Sequence, residues 1–241
     1  MRTQRNKYAY YKKGIIGEIW NKIYPAYFFD KIRDINVNSK ILDVGCGYGR
    51  LIKSFKAIGF DNVRGIDPFL DEDLTKDNIF KKTIFEVSDK FDVIIFKNSF
   101  EHISNQMETL QKVFDILKDN GFCIITMPVK TEFIWNKYNV NWVQIDAPRH
   151  LIIHTLDSFE LLLENTNLKI KKVVFDSDEF QFWGSEQYKK NIPLMADNSY
   201  LINPKKSIFT QKQINEFRKK SKKLNEQKIG DHALFILEGK K

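Results

Sequence analysis

The sequence predicts an α/β chain built on a doubly wound, mostly parallel seven-stranded sheet, and three observations carry that expectation. Short apolar runs alternate with segments of helical periodicity along most of the 241 residues. In the run Ile41 to Val44, Ile41, Leu42 and Val44 suit a strand covered on both faces. That run leads into the loop GCGYG (Gly45 to Gly49), after which Leu51, Phe55 and Ile58 recur at helical spacing. Strand, glycine loop and helix form the first half of a βαβ unit, with a ligand crevice at the strand's carboxyl end.

The remaining elements follow in order. Residues from Tyr8 to about Ile35 are rich in aromatic rings (Tyr10, Tyr11, Trp20, Tyr24, Tyr27, Phe28, Phe29) and read as one or two helices, with Pro25 at a break or a helix start. Further strands are expected at Val63 to Ile66, near Ile79, at Val93 to Phe96 and at Phe122 to Met127. Between the last two, Leu110, Val113, Phe114 and Leu117 share one face of a helix from Met107 to Leu117, with Gly121 as its stop. A helix from Asp157 to about Asn165 has Asp157 and Glu160 at capping-box spacing, and strands follow at Ile170 to Phe175 and Ala233 to Leu237. Between Asp176 and Gly230 the chain leaves this alternation. That stretch holds FQFWGSEQY (Phe180 to Tyr188), a Pro/Asn-rich middle, and a helix from Thr210 to about Glu226. In that helix Thr210 and Gln213 are spaced for a capping box, and Ile214, Phe217 and Leu224 form a narrow apolar stripe. The expected organisation is a helical cap over 1–35, a core over 36–175, a lid and substrate-recognition insertion over 176–229, and a last core strand over 230–241.

Composition narrows the classes of function. The hydrophobic content of 42% is that of a globular chain, and no apolar stretch approaches the ~20 residues of a membrane span. The basic N-terminus has no apolar run behind it and is not a secretory signal. Cys46 in the glycine loop and Cys123 in a strand make no disulfide framework, which fits a reducing, cytoplasmic setting. The net charge of +8 is local: residues 205–241 carry eleven Lys/Arg against four Asp/Glu, the rest 28 against 27. A single run such as RKKSKK (Arg218 to Lys223) reads as a solvated helix face or as a site for an anionic substrate, and argues against a nucleic-acid surface.

The glycine loop chooses between two nucleotide-like ligands. A dinucleotide site would place glycine at position 50, where Arg50 stands, and would bring a pyrophosphate close to Asp43. S-adenosylmethionine (AdoMet) has no phosphate and carries a sulfonium and an ammonium, so acidic residues beside the loop favour it. Asp67 follows in VRGIDP, 22 residues after Gly45, where a carboxylate can accept both ribose hydroxyls. The pattern D-x-G-x-G-x-G resembles the first motif of class I AdoMet-dependent methyltransferases. The resemblance implies a Rossmann-like core with an antiparallel edge, and a cofactor site at Asp43, Gly45, Cys46, Gly47, Gly49, Asp67, Pro68, Asn98 and Ser99. The third strand and its loop lack the family's usual acidic residue for the adenine amino group; Asn78, Glu86 or backbone groups are the substitutes.

FDVIIFKNSFEHI (Phe91 to Ile103) resembles the fourth motif of the same enzymes, whose small-molecule members often carry Glu-His here. An imidazole ionises near neutrality, so His102 is the first candidate for general base, against a purely structural role in fixing the loop or capping the following helix. Glu101 is expected to orient His102 or the loop. WVQIDAPRHL (Trp142 to Leu151) follows the fifth strand. Together with EFQFWGSEQY it resembles a methyltransferase subgroup common in bacterial capsule and lipopolysaccharide gene sets. Arg149 could hold a phosphate or carboxylate in its fork, His150 is the alternative base, and Asp146 orients one of them or grips a sugar hydroxyl. A plain Asp146–Arg149 pair pinning the loop is the blander account. Trp142 and Trp183 either stack on a substrate or pack in the core. No metal site is expected, since the four histidines (His102, His150, His154, His232) lack ligand spacing on one helix and no cysteine pair accompanies them. The resulting expectation is O-methylation of a sugar, nucleotide-sugar or phosphorylated small-molecule precursor of a surface polysaccharide, in a chain compatible with a homodimer. An RNA or protein methyltransferase and a non-catalytic AdoMet-binding partner subunit are the rivals.

Overall fold

A computed structural model describes residues 35–57 and 59–240. The expected N-terminal cap, with all its aromatic residues, and Ile58 lie outside the described residues. In chain order the elements are β1 (Ile41–Val44), α1 (Arg50–Ala57), β2 (Val63–Ile66), β3 (Ile79–Phe80), β4 (Phe91–Lys97), α2 (Gln106–Ile116) and β5 (Leu117–Pro128). They continue with α3 (Glu132–Tyr138), α4 (Leu156–Glu164), β6 (Leu168–Phe175), α5 (Phe180–Tyr188), α6 (Gln211–Glu226) and β7 (His232–Gly239). The seven strands make one sheet in the order β3-β2-β1-β4-β5-β7-β6. The expected α/β fold is therefore the observed one.

β1 runs parallel to both neighbours, with Ile41 opposite Val63 and Val93, and Val44 opposite Ile66 and Phe96. All four residues of β1 are buried, which is why this strand reads as an apolar run without alternation. The edge beyond β5 is antiparallel. Val129 N–H donates to Asp231 C=O and Asp176 N–H to His232 C=O, so the start of β7 lies beside the ends of β5 and β6.

The described chain forms two compact units. The first holds β1 to β4, α1, and Glu108–Ile124. Its core is Ile41, Leu42, Phe55, Phe91, Val93 to Phe96, Leu110, Val113 and Ile124, none of them exposed. Each such side chain contributes roughly 1.5–3 kcal/mol by leaving water. The second unit holds Asn98–Met107 and Ile125–Leu237. There Ile134, Tyr138, Trp142, Val143, Phe182 and Leu224 form a buried cluster, and Phe159 packs edge-on against Phe100 and Phe235. No described helix is long and apolar enough to cross a membrane.

Several local expectations change. α2 ends at Ile116 and the chain passes directly into β5, so Gly121 is a strand residue and not a helix stop. A Cβ at Gly121 would stand about 3.0 Å from the carbonyl oxygens of Lys118 and Phe91, so the position is held by close backbone approach. α4 is capped two residues earlier than expected. Thr155 Oγ1 accepts from Ser158 N–H and Thr155 N–H donates to Ser158 Oγ in return, in place of an Asp157–Glu160 box. α6 keeps the Thr210–Gln213 capping box, buries Ile214 and Leu224, and leaves its lysines outward. α3 was not anticipated; it starts where Thr131 caps the N–H of Ile134.

Candidate active site

The loop after β1 is fastened to the end of β2. Gly45 and Cys46 both donate to the Ile66 carbonyl, at 2.9 and 3.2 Å. Asp67 accepts Gly47 N–H on Oδ2 and Phe69 N–H on Oδ1, each at 2.9 Å. This carboxylate therefore braces the loop. Gly47 has φ +51° and open space where a Cβ would stand. Gly49 has φ +75°, and a Cβ there would run into the Ile79 side chain. Gly65, which sequence reasoning passed over, lets Cys46 and Ile52 pack against β2; a Cβ would stand 2.6 Å from Cys46 Sγ.

Asp43 is 2% exposed, and burial pushes its pKa up to about 7. Lys97 pulls that value down, and Asp67 adds to the rise. Cys46 is pushed up to about 12 by burial and by the same two acids, so it stays a neutral thiol. An open bend beside two carboxylates, one of them held near its ionisation point, suits a cationic ligand. By this measure the residues present fit AdoMet: Gly47 leaves room for it, and Asp43 gains by facing positive charge. Pro68 and Phe69 are exposed, Phe69 by 91%. Neither proposed adenine partner is idle. Asn78 Nδ2 donates to Val63 C=O, and Glu86 closes a capping box with Thr83.

The second group begins where β4 ends. Glu101 is 1% exposed, and its Oε2 is buried without a hydrogen-bond partner. His102 Nδ1 lies 2.7 Å from Arg149 C=O, and His150 Nδ1 lies 2.7 Å from Gln144 C=O. A carbonyl can only accept, so each Nδ1 carries a proton, and in the neutral ring Nε2 is the nitrogen with the lone pair. The two rings are 4.9 Å apart by their centroids. His150 Nε2 stands 3.9 Å from Glu101 Oε1 and 3.7 Å from Asp146 Oδ2. Burial raises the pKa of Glu101 and lowers that of His150, which keeps the His150 imidazole neutral.

The Asp146 to His150 turn is built for this arrangement. Asp146 sits at φ +39°, the Ala147–Pro148 peptide is cis, and Asp146 C=O accepts from the N–H of Arg149 and of His150. Leu151 N–H then donates to Glu101 C=O at 2.9 Å. The Asp146 carboxylate pairs with the Arg149 guanidinium, whose side chain is 71% exposed, so the loop-pinning pair expected from sequence exists.

Other expected site residues turn out to be occupied. Asn98 adopts φ +54°, and its side chain takes the Thr126 hydroxyl on Oδ1 and faces His232 Nε2 at 3.3 Å. Ser99 is buried. Trp142 is 1% exposed and donates through Nε1 to the buried Asp231, while Trp183 packs against Phe180 and Tyr200. The core-packing alternative is the observed one for both tryptophans. His154 bonds to Gln106 and Ser158, away from any ligand role. Sequence reasoning missed two features. His232 makes a 2.6 Å contact through Nδ1 with Asp176 and meets Asn98 on its other nitrogen. Glu101, His102 and His150 each offer a ligand atom, all within 4.8 Å of one another, although 48 residues separate the histidines and spacing argued against any metal site.

Comparison with known proteins assigns the chemistry. A family model described as a methyltransferase domain matches residues 20–173. Ubiquinone biosynthesis O-methyltransferase of Rickettsia bellii is 29% identical over 182 residues, covering 66% of this chain and 75% of its own. The enzyme of the same name from Rickettsia felis is 28% identical over 181 residues, with 66% and 73% covered. A putative sarcosine dimethylglycine methyltransferase from Galdieria sulphuraria shares the fold at TM-score 0.56 and 14% identity, over 94% of this chain and 88% of that one. These relatives are not the capsule-associated group that the Asp146 to His150 segment resembles.

Proposed function

Since the chain belongs to the methyltransferase domain family and is an AdoMet-dependent methyltransferase, we propose that it O-methylates a small hydroxylated acceptor. Bound AdoMet supplies an electrophilic methyl group on a sulfonium. The chain's own residues do the rest. Asp43 and Asp67 hold positive charge and ribose at the glycine loop, and Gly47 keeps the backbone out of the ligand's way. The leaving group is already good, so alignment supplies much of the rate. The acceptor hydroxyl loses its proton at the second group, where His102 Nε2, on an exposed ring, is the acceptor and His150 and Glu101 stand beside it.

The observation that carries this reading is the pair of imidazoles, 4.9 Å apart, each held at Nδ1 by a backbone carbonyl so that Nε2 is the acceptor of the neutral ring. For the acceptor, the names of the relatives favour an intermediate of ubiquinone biosynthesis. The exposed Arg149 fork and the lysines of α6 favour a second class, a nucleotide-linked or phosphorylated sugar of a surface polysaccharide. The test is an acceptor screen over both classes, read by release of S-adenosylhomocysteine and a methyl-sized mass gain on the acceptor oxygen. Methylation of nitrogen or carbon alone would overturn it.

A further inference from the structure

We propose that Glu101, His102 and His150 bind a divalent transition-metal ion, a site that deepens the functional reading above and rests on it for its catalytic use. The donor set comes first. Two imidazoles and one carboxylate, each offering one atom within 4.8 Å of the others, suit Zn²⁺, Mn²⁺, Fe²⁺ or Co²⁺. Mg²⁺ and Ca²⁺ prefer sites made of oxygen alone. Ligands about 2.1 Å from a shared ion lie roughly 3–3.5 Å apart. His150 Nε2 and Glu101 Oε1, now 3.9 Å apart, need only a small side-chain closure to reach that separation.

The surroundings are those of a ligand site rather than of a free base. Both histidines donate Nδ1–H to a main-chain carbonyl, which leaves Nε2 as the ligand nitrogen of the neutral ring and raises its basicity; His150 Nε2 stands 3.9 Å from Glu101 Oε1. Arg149 C=O and Gln144 C=O play that outer role here. Glu101 is an independent pointer. Its carboxylate is 1% exposed and Oε2 has no partner, an arrangement costly without a cation. Asp146 Oδ2, 3.7 Å from His150 Nε2, is a fourth candidate ligand atom, currently paired with Arg149. Three protein ligands leave coordination positions for an acceptor hydroxyl, and the exposed His102 ring marks the entry side.

A cation there changes how the hydroxyl is activated. Coordination lowers the pKa of a bound hydroxyl, so its proton passes to water and neither imidazole has to accept it. His102 then acts as a ligand in the loaded enzyme.

The test uses untagged full-length protein stripped with chelator and dialysed. Titration with Zn²⁺ by calorimetry should show one ion per chain, and Co²⁺ should give a visible absorption band that Zn²⁺ abolishes. Glu101→Gln, His102→Ala and His150→Ala should each weaken Zn²⁺ binding at least tenfold. Their circular dichroism spectra serve as the check on folding, and His102→Ala, at an exposed ring, is the variant least exposed to a folding failure. No binding to the wild type, or binding that none of the three substitutions weakens, overturns the site. Turnover separates the two proposals. Methylation of a hydroxyl acceptor that survives complete metal removal sinks the catalytic use of the ion and leaves the O-methyltransferase reading with His102 as base. One ion bound at these residues, with no hydroxyl acceptor ever methylated, keeps the site and sinks that reading.

Discussion

Replacing Asp43 by asparagine should stabilise the ligand-free protein above neutral pH and at the same time damage cofactor binding. Burial raises the Asp43 pKa from 3.8 to about 7, with Lys97 opposing and Asp67 reinforcing the shift. A raised carboxyl pKa means that the folded state holds the proton more tightly than the unfolded chain does. Stability is therefore highest at low pH, falls as pH rises from about 4 to about 7, and is flat above that. Three pKa units correspond to about 4 kcal/mol, of which about 3 kcal/mol accrues between pH 5 and pH 8. Asparagine never ionises, so Asp43→Asn should gain on the wild type by up to that amount across the interval. A cationic ligand stabilises the carboxylate, so wild-type AdoMet affinity should rise with pH through 7, whereas the variant should bind at least tenfold more weakly and without that slope. Chemical denaturation at pH 5 and pH 8, with calorimetry of AdoMet binding at both, measures all of this. Equal stability differences at the two pH values would refute the raised pKa, and unchanged affinity would remove Asp43 from the cofactor site.

The other expectations concern single side chains. His102→Ala should leave AdoMet binding nearly intact and cut turnover by on the order of a hundredfold, whether the residue acts as base or as ligand; unchanged turnover in a kinetic assay would pass the role to His150. Gly49→Ala should destabilise by more than the roughly 1–2 kcal/mol of a left-handed alanine, because its Cβ also meets Ile79; a melting curve checks it, with Gly47→Ala, whose Cβ meets open space, as the smaller comparison. Trp142→Phe should cost roughly 1–3 kcal/mol by leaving the buried Asp231 carboxylate, whose pKa burial raises to about 6, without its indole donor. Unfolding titration measures that loss. Acceptor affinity should be untouched once the cofactor is bound, because the ring is 1% exposed.

Much of the first unit was legible because its signals are local. β1 and β2 were expected at the residues where they occur, since strands covered on both faces are mostly apolar, here Ile41, Leu42 and Val44 in β1 and Val63 and Ile66 in β2. The glycines of the loop were legible because only a residue without Cβ tolerates φ +75° against Ile79. The helix of Gln211–Glu226 was legible from its Thr210–Gln213 box. Helix ends read less well. Gly121 looked like a stop because glycine follows many helices, and nothing local shows that backbone carbonyls crowd it inside a strand. Asp157 and Glu160 matched a capping pattern, yet Thr155 took the cap with Ser158 as its partner.

Along the chain alone one can read an α/β core and an AdoMet loop with two acids, because backbone sterics and charge act over a few residues. What no local pattern could settle is which distant polar groups share a space. Folding buried Trp142 and Trp183, turned Asn98 toward His232, and set His150 beside Glu101 and His102. Hydrogen bonds to the main-chain carbonyls of Gln144, Arg149 and Glu101 define that last grouping. Every residue carries such atoms, so composition and spacing are blind to them.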